Sequence, residues 1–533
     1  MHFIHPFRDA MTTRFFPAFL LPLAAALGVQ AQPMPARQTT AAVQPYQPPA
    51  FTDPDRLRKI EATFPVIDRL FKEHAAKRNF PGMAYGIVVD GKLVHTGSTG
   101  YTDVTKKTPA TPRSLFRIAS MTKSLTAMAI LYLRDAGKLR LDDPAEQYVP
   151  ALKSHRNLTA DAPKITVRHL LTHAAGFPED NPWGDRQLAD TDAELVNLIR
   201  NGLTNSNTPG VAYEYSNLGF ALLGQIITNV SGKPYQQYIT DVILKPLGMN
   251  HTVWEYTNVP DNQLAKGYRY VDGRWVDEPL LPDGAWGAMG GLITSIEDFS
   301  RYVALHLAAW PPRNDADNGP VKRSSVREMQ QPWVFSGLYP NARTTAGTVC
   351  PTTAGYGYGL GWGRNCDGRV NVGHSGGLPG FGSQWRILPD YGIGILSHAN
   401  LTYAGLGGIN SVVLDTLVAL ADLKPRQLPV SPILQQRKAE LVRLLPDWTA
   451  AETSGIFAEN FFPDQSVETR RKAVQALYAK AGKIIRVGEL IPENQLRGHF
   501  LLEGENTRID VFFTLTPENP ALIQQLDFRE VTR

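Results

Sequence analysis

The run Arg117-Ile-Ala-Ser-Met-Thr-Lys-Ser-Leu-Thr-Ala-Met-Ala-Ile-Leu-Tyr-Leu133 constrains this chain more than any other stretch. It holds good helix formers and meets no Gly or Pro before Gly137, so it reads as a helix. Its apolar residues fall on nearly every face rather than on one stripe, which predicts a helix enclosed by protein. The 533 residues supply ample sequence for such a core, with a length prior of roughly two to four domains.

Within that run, Ser120-Met-Thr-Lys123 sits in the first helical turn. Residues three apart on a helix are neighbours, so the Ser120 hydroxyl and the Lys123 amine lie side by side. A serine hydroxyl needs an adjacent base to act as a nucleophile. A lysine kept neutral by burial and by the positive end of a helix can serve. Alone the tetrad says little, since an N-capping serine followed by a surface lysine has the same spelling.

Charge excludes little. The formal net charge is +4, and no block of Lys/Arg interleaved with aromatics points to nucleic acid. At the N-terminus, Arg8 and Arg14 precede the uncharged apolar run Phe15 to Val29 and the small-residue site Val29-Gln-Ala31. This predicts a secretory signal peptide over 1–31 and export to a bacterial periplasm, with no stable membrane span after cleavage. Two cysteines, Cys350 and Cys366, flank a Gly/Tyr-rich segment. In an oxidising compartment they are a possible disulfide, equally compatible with two free thiols.

Residues 32–52 are rich in Pro, Gln, Thr and Ala and read as a flexible lead-in. Arg56 to Lys77 is periodic enough for a helix that Pro65 interrupts or kinks. Asp90-Gly91 joins two strand-like segments, Met83 to Val89 and Lys92 to Thr96, into a hairpin. His169 and His173 share a helix face at i, i+4, but no acidic base or third ligand accompanies them, so they read as structural. Tyr213-Glu-Tyr-Ser-Asn217 leads into an apolar helix over Leu218 to Val230; Ser216-Asn217 reads either as a cap or as part of a site beside Tyr215. Thr294-Ser-Ile-Glu297 reads as a capping box. Gly373-His-Ser-Gly-Gly-Leu-Pro-Gly380 suggests close approach to a strand backbone. Strands at Trp385 to Leu388 and Ile393 to Leu396 follow. Beyond the Pro-rich stretch 425–432, two helices (from Ile433 and over Val467 to Ala481) precede four alternating segments, predicting a small antiparallel sheet packed on helices.

Taken together, Ser120-Met-Thr-Lys123, Leu170-Leu-Thr-His-Ala-Ala-Gly176, Tyr215-Ser-Asn-Leu-Gly219, Pro246-Leu-Gly-Met249, Tyr358-Gly-Leu-Gly-Trp362 and His374-Ser-Gly376 resemble, in this order, the penicillin-recognising serine hydrolases. The resemblance covers about residues 60–420, and the branch includes class C β-lactamases, D-alanyl-D-alanine carboxypeptidases, D-aminopeptidases and esterases. It implies an α/β (α+β) β-lactamase/transpeptidase-like fold, with an antiparallel sheet flanked by helices, an all-helical lobe, and the site between them. It further implies Ser120 as acylating nucleophile, Lys123 as its partner, and Tyr215 as general base and acid. Lys123 and Tyr215 both remain candidates for the base. Asn217, His374, Gly376 and Gly377 would bind substrate, with the N–H groups of Ser120 and Gly377 as the oxyanion hole. No cofactor or metal is implied.

One position departs from the family. His374 stands where class C enzymes and carboxypeptidases have the lysine of Lys-Thr-Gly. A histidine at its ordinary pKa gives a partial, pH-dependent charge, which argues for weak or absent β-lactamase activity beside ester or amide hydrolysis of a small molecule or peptide. A receptor acylated by β-lactams or peptidoglycan fragments without turnover is the alternative. The organisation expected is a signal peptide (1–31), lead-in (32–52), hydrolase domain (53–424), linker and helix (425–445) and an α+β accessory domain (446–533) faintly similar to the NTF2-like fold. Oligomeric state is not legible.

Overall fold

The computed structural model describes residues 46–532; the predicted leader at 1–31 and most of the lead-in lie outside them. Two helices, Arg56–Glu61 and Phe64–Lys77, open the described chain, with Pro65 in the first turn of the second. Proline is tolerated there because that N–H has no helical partner. The hairpin follows as β1 (Gly82–Val89) and β2 (Lys92–Asp103). Its turn residues Asp90 and Gly91 both have positive φ, at 49° and 80°, which matches the right-handed twist of the strands.

These strands belong to a nine-stranded antiparallel sheet. Its remaining members are β3 (Thr108–Pro109), β4 (Val334–Tyr339), β5 (Thr352–Tyr356), β6 (Gly361–Arg364), β7 (Val370–Leu378), β8 (Phe381–Leu388) and β9 (Ile393–Ala399). The spatial order is β3-β2-β1-β9-β8-β7-β6-β5-β4. The predicted strands at 385–388 and 393–396 are the inner parts of β8 and β9, which pair from Gly382↔Ala399 to Leu388↔Ile393.

Each face of the sheet is covered. On one, Ile67 and Phe71 from the second helix and Val413 and Leu417 from the helix Gly407–Leu420 pack on Tyr85, Ile87 and Ile395. On the other lies the larger core, which joins the sheet to the helical lobe through Phe299, Trp385 and Leu396. At the centre of that lobe the helix Thr122–Asp135 buries Leu125, Met128 and Ile130 and packs beside the helix Asn217–Ser231. The latter starts where Ser216 Oγ accepts from the Gly219 N–H at 3.2 Å and stops at Gly232 with φ 72°. The capping box read at Thr294–Glu297 resolves differently. Ser295 is the N-cap, Thr294 lies in a short strand, and Glu297 pairs with Arg113.

The C-terminal tail has a core of its own built on Leu441, Trp448, Phe500, Val511 and Phe513. The helix Pro432–Leu444, grouped with the linker above, contributes Leu434 and Leu441 to it. The tail's sheet has five antiparallel strands rather than four, because Ile491–Asn494, between the first and second predicted segments, is a strand of its own that pairs with Arg497–Gly504. No helix of the described residues is long and apolar enough to cross a membrane.

Candidate active site

Ser120 is held at the junction of the two layers. The two-residue strand Phe116–Arg117 pairs with Ile293–Thr294, and the Ile118 N–H donates to the Leu292 carbonyl at 3.0 Å. The chain then turns through Ala119, a non-glycine residue at φ 49°, into one 3-10 turn over Ala119–Met121 and on into the helix from Thr122. A left-handed alanine costs about 1–2 kcal/mol, and sheet and helix together hold it. β7 crosses beneath at a distance only glycine permits. A Cβ on Gly376 would lie 2.1 Å from the Ile118 carbonyl oxygen, which accepts from Ser383 Oγ at 2.6 Å. Ser120 and Gly377 line one cleft of about 660 Å³, and of β7 only Val370–Gly373 pairs with β6, so the edge of β7 from His374 onward is unpaired by β6.

Lys123 is wholly buried, and its Nζ lies 2.9 Å from Ser120 Oγ, 2.7 Å from Asn217 Oδ1 and 2.9 Å from the Met289 carbonyl. Burial lowers its pKa to about 7, against the opposing charges of Asp185 and Asp180. A neutral amine has two N–H groups and one lone pair. With both N–H groups given to Asn217 and Met289, the lone pair faces the Ser120 hydroxyl.

Tyr215 is hydrogen-bonded to Ser120, and burial raises its phenol well above the usual value. It therefore holds its proton more tightly than an ordinary tyrosine. Its ring packs on His173 at 4.2 Å between centroids. His173 Nδ1 accepts from the Ser216 N–H at 3.1 Å, while His169 closes a capping box with Thr166. The i, i+4 histidines are thus a wall and a cap.

Asn217, expected to bind substrate, lies beside Lys123. It is fully buried, and its Nδ2 donates to Asn181 Oδ1 and to Asp185 Oδ1, the latter at 3.3 Å. Asn181 and Asp185 line the cleft in its stead. Asp180 accepts from the Asn217 and Leu218 N–H groups at 2.6 and 2.8 Å, capping that helix. Tyr403 OH donates to Asp185 Oδ2 at 3.2 Å. The ring of Tyr403 also lies beside Gly377, where a Cβ would meet it at 2.8 Å.

His374 differs from the partly charged histidine that its ordinary pKa predicts. Burial and the nearby Lys123 push its pKa down to about 3, so it carries no charge near neutrality. Nδ1 faces the Ser375 carbonyl at 2.5 Å and Nε2 faces Tyr356 OH at 2.9 Å. The neutral ring therefore donates from Nδ1 and accepts the Tyr356 proton at Nε2. The site lacks a cation at this position at any ordinary pH.

Tyr356, Asp180, Asn181, Asp185 and Met289 escaped the sequence reading. Tyr356 lies two residues before the Tyr358-Gly-Leu-Gly-Trp362 motif, which was its one signal. Cys350 and Cys366 form a disulfide, so the grouping of these sulfurs with Asp367 is no metal site.

A serine facing a buried free amine, at the seam of an antiparallel sheet and a helical lobe, defines a serine hydrolase. Residues 67–415 match the family model described as Beta-lactamase, and the chain belongs to that family of penicillin-recognising serine hydrolases. It is similar to Protein flp of Staphylococcus aureus (strain MW2), 32% identical over 344 residues that cover 63% of each chain. Penicillin-binding protein 4* of Bacillus subtilis (strain 168) is 30% identical over 223 residues, covering 41% of this chain and 48% of that one. The chain thus spans less than two thirds of the length of these curated relatives. Among solved structures, an octameric penicillin-binding protein homologue from Pyrococcus abyssi superposes with TM-score 0.56 and 25% identity, covering 88% of this chain and 98% of that chain. A penicillin binding protein from Bacillus halodurans shares the fold at TM-score 0.51 and 22% identity, covering 64% and 98%.

Proposed function

We propose that the protein is an exported serine hydrolase that opens an ester or amide through an acyl-enzyme on Ser120, with weak or no turnover of β-lactams. The observation that carries this reading is the Lys123 amine, whose two N–H groups are engaged and whose lone pair is left to Ser120.

In this reading Lys123 takes the Ser120 proton as Oγ attacks the carbonyl carbon, and the N–H groups of Ser120 and Gly377 receive the developing oxyanion. As the tetrahedral intermediate collapses, Tyr215 gives its proton to the departing oxygen or nitrogen, and the Lys123 ammonium offsets the phenolate charge. Deacylation reverses both transfers. Water gives a proton to Tyr215 as it attacks the ester, and Lys123 returns its proton to Oγ. Atoms and charges balance over the cycle.

The neutral His374 supports the second half of the proposal, because a permanent cation that would hold a β-lactam carboxylate is missing at that position of β7. Export rests on Arg8, Arg14 and the apolar run to Val29; protein recovered from a periplasmic fraction is expected to begin at Gln32. The function is tested by steady-state assay on a short-chain p-nitrophenyl ester, a D-amino-acid amide and a cephalosporin. Turnover of the ester or the amide is expected. Robust cephalosporin hydrolysis refutes the claim about β-lactams, and stoichiometric acylation without any turnover returns the receptor.

A further inference from the structure

We infer that the cleft continues beyond the reacting centre into an arginine-lined compartment that receives an anionic oxygen group, a carboxylate or phosphate, carried on the leaving-group end of the substrate. The inference deepens the hydrolase reading and rests on it.

The cleft that holds Ser120 and Gly377 extends along β7 past Gly373 to Asn371 and Arg386. Its floor is side-chain free where Gly361 pairs with Gly373. A Cβ on Gly373 would lie 2.1 Å from the Trp385 carbonyl oxygen. A second cavity of about 190 Å³ shares Thr352, Asn371 and Arg386 with the first and adds Arg343, Arg369 and Asp415. Three guanidinium groups thus face one lining carboxylate. Asp415 is already engaged by Arg369 at 2.8 Å, and Asp367 lies nearby, exposed.

Arg386 is the informative residue. Its guanidinium donates to the Ser411 hydroxyl; the one carboxylate that acts on it is Asp415, beyond ion-pair distance and already held by Arg369. An enclosed guanidinium without a paired anion is costly, and its planar fork suits a carboxylate or phosphate. Nearby, Gln384 Oε1 is buried and unpartnered. The walls are clamped. The Cys350–Cys366 disulfide ties the segment bearing Arg343, which bridges to Val349, to the turn before Arg369.

Direction and reach follow from the strand. The segment that carries Ser120 meets β7 at Gly376, where a Cβ would touch Ile118 and Ala119, whereas the ring of Tyr215, which protonates the leaving group in the proposed mechanism, lies 6.3 Å from that of His374, two residues nearer Gly373. The leaving group therefore departs toward Arg386. Four residues of strand separate Gly377 from Gly373, or ~13 Å.

The test uses acetyl esters of two long alcohols, 8-acetoxyoctanoate and the neutral 8-acetoxyoctanamide, with acetate release followed by pH-stat and 8-acetoxyoctyl phosphate as a third arm. The wild type is expected to favour at least one anionic ester by tenfold or more in kcat/KM, and the two anionic arms distinguish carboxylate from phosphate. Arg386→Gln should bring the anion-to-amide ratio near one, Arg386→Lys should restore part of it, and Arg343→Gln, at an exposed position, should lower it without burdening folding. Equal rates on all three esters, or a preference that survives both Gln variants, overturn the inference and leave the hydrolase intact. No hydrolysis of any ester, with Ser120 unlabelled by a fluorophosphonate, refutes both.

Discussion

Lys123 as a free amine has a quantitative consequence for pH. Its pKa falls from the ordinary 10.5 to about 7 through burial. The reactive form is the deprotonated one, so kcat/KM should rise with pH through about 7 and level off above it. At two units below the pKa about one molecule in a hundred carries the free amine, so the rate at pH 5 should be roughly 100-fold below the plateau. Asp185 is the largest opposing influence and holds the pKa up. It reaches Nζ across one amide, Asp185 Oδ1 to Asn217 Nδ2 at 3.3 Å and Asn217 Oδ1 to Nζ at 2.7 Å. A charge ~7 Å away at an effective dielectric of ~20 is worth roughly 2 kcal/mol, or about one to two pH units. Asp185→Asn keeps the shape and should move the acid limb down by that amount. The assay is kcat/KM on a p-nitrophenyl ester from pH 4.5 to 9 at constant ionic strength, with unchanged circular dichroism as the control for folding. A limb above pH 9 in the wild type, or a limb that Asp185→Asn leaves in place or moves upward, refutes the assignment of Lys123 as the base.

Other consequences follow from single contacts. Tyr356→Phe removes the proton that His374 Nε2 accepts at 2.9 Å, and is expected to lower kcat/KM about threefold to tenfold while the acid limb stays near pH 7; a shifted limb would place Tyr356 in the proton transfer instead. Gly376→Ala puts a methyl 2.1 Å from the Ile118 carbonyl, so fluorophosphonate labelling of Ser120 should slow by more than 100-fold, and near-normal labelling would contradict the packing described. Breaking the Cys350–Cys366 disulfide, which closes a separation of 16 residues, is expected to cost up to about 3 kcal/mol in denaturant unfolding, with activity on a neutral ester retained.

What the sequence disclosed depended on how far each signal reached along the chain. The buried helix from Thr122, the Asp90-Gly91 hairpin and the cap at Ser216 are written in a few consecutive residues, and the structure has each. Ser120 and Lys123 were legible for the same reason, being one helical turn apart. The charge state of His374 was not, because it is set by enclosure and by Lys123, a residue far away along the chain. Asn217 was read as a substrate ligand, yet Asp185 and Asn181, more than thirty residues earlier, turn its amide inward toward Lys123. Loop residues that act on a site through space leave no period or spacing to read.

The most direct test of the account is intact-mass analysis of the protein and its Ser120→Ala variant after treatment with a fluorophosphonate. The account predicts one covalent adduct per chain in the wild type, mapped to Ser120, and none in the variant, with ester turnover lost in parallel. A variant that labels and turns over like the wild type would show that another residue is the nucleophile and that the geometry around Lys123 serves some other end.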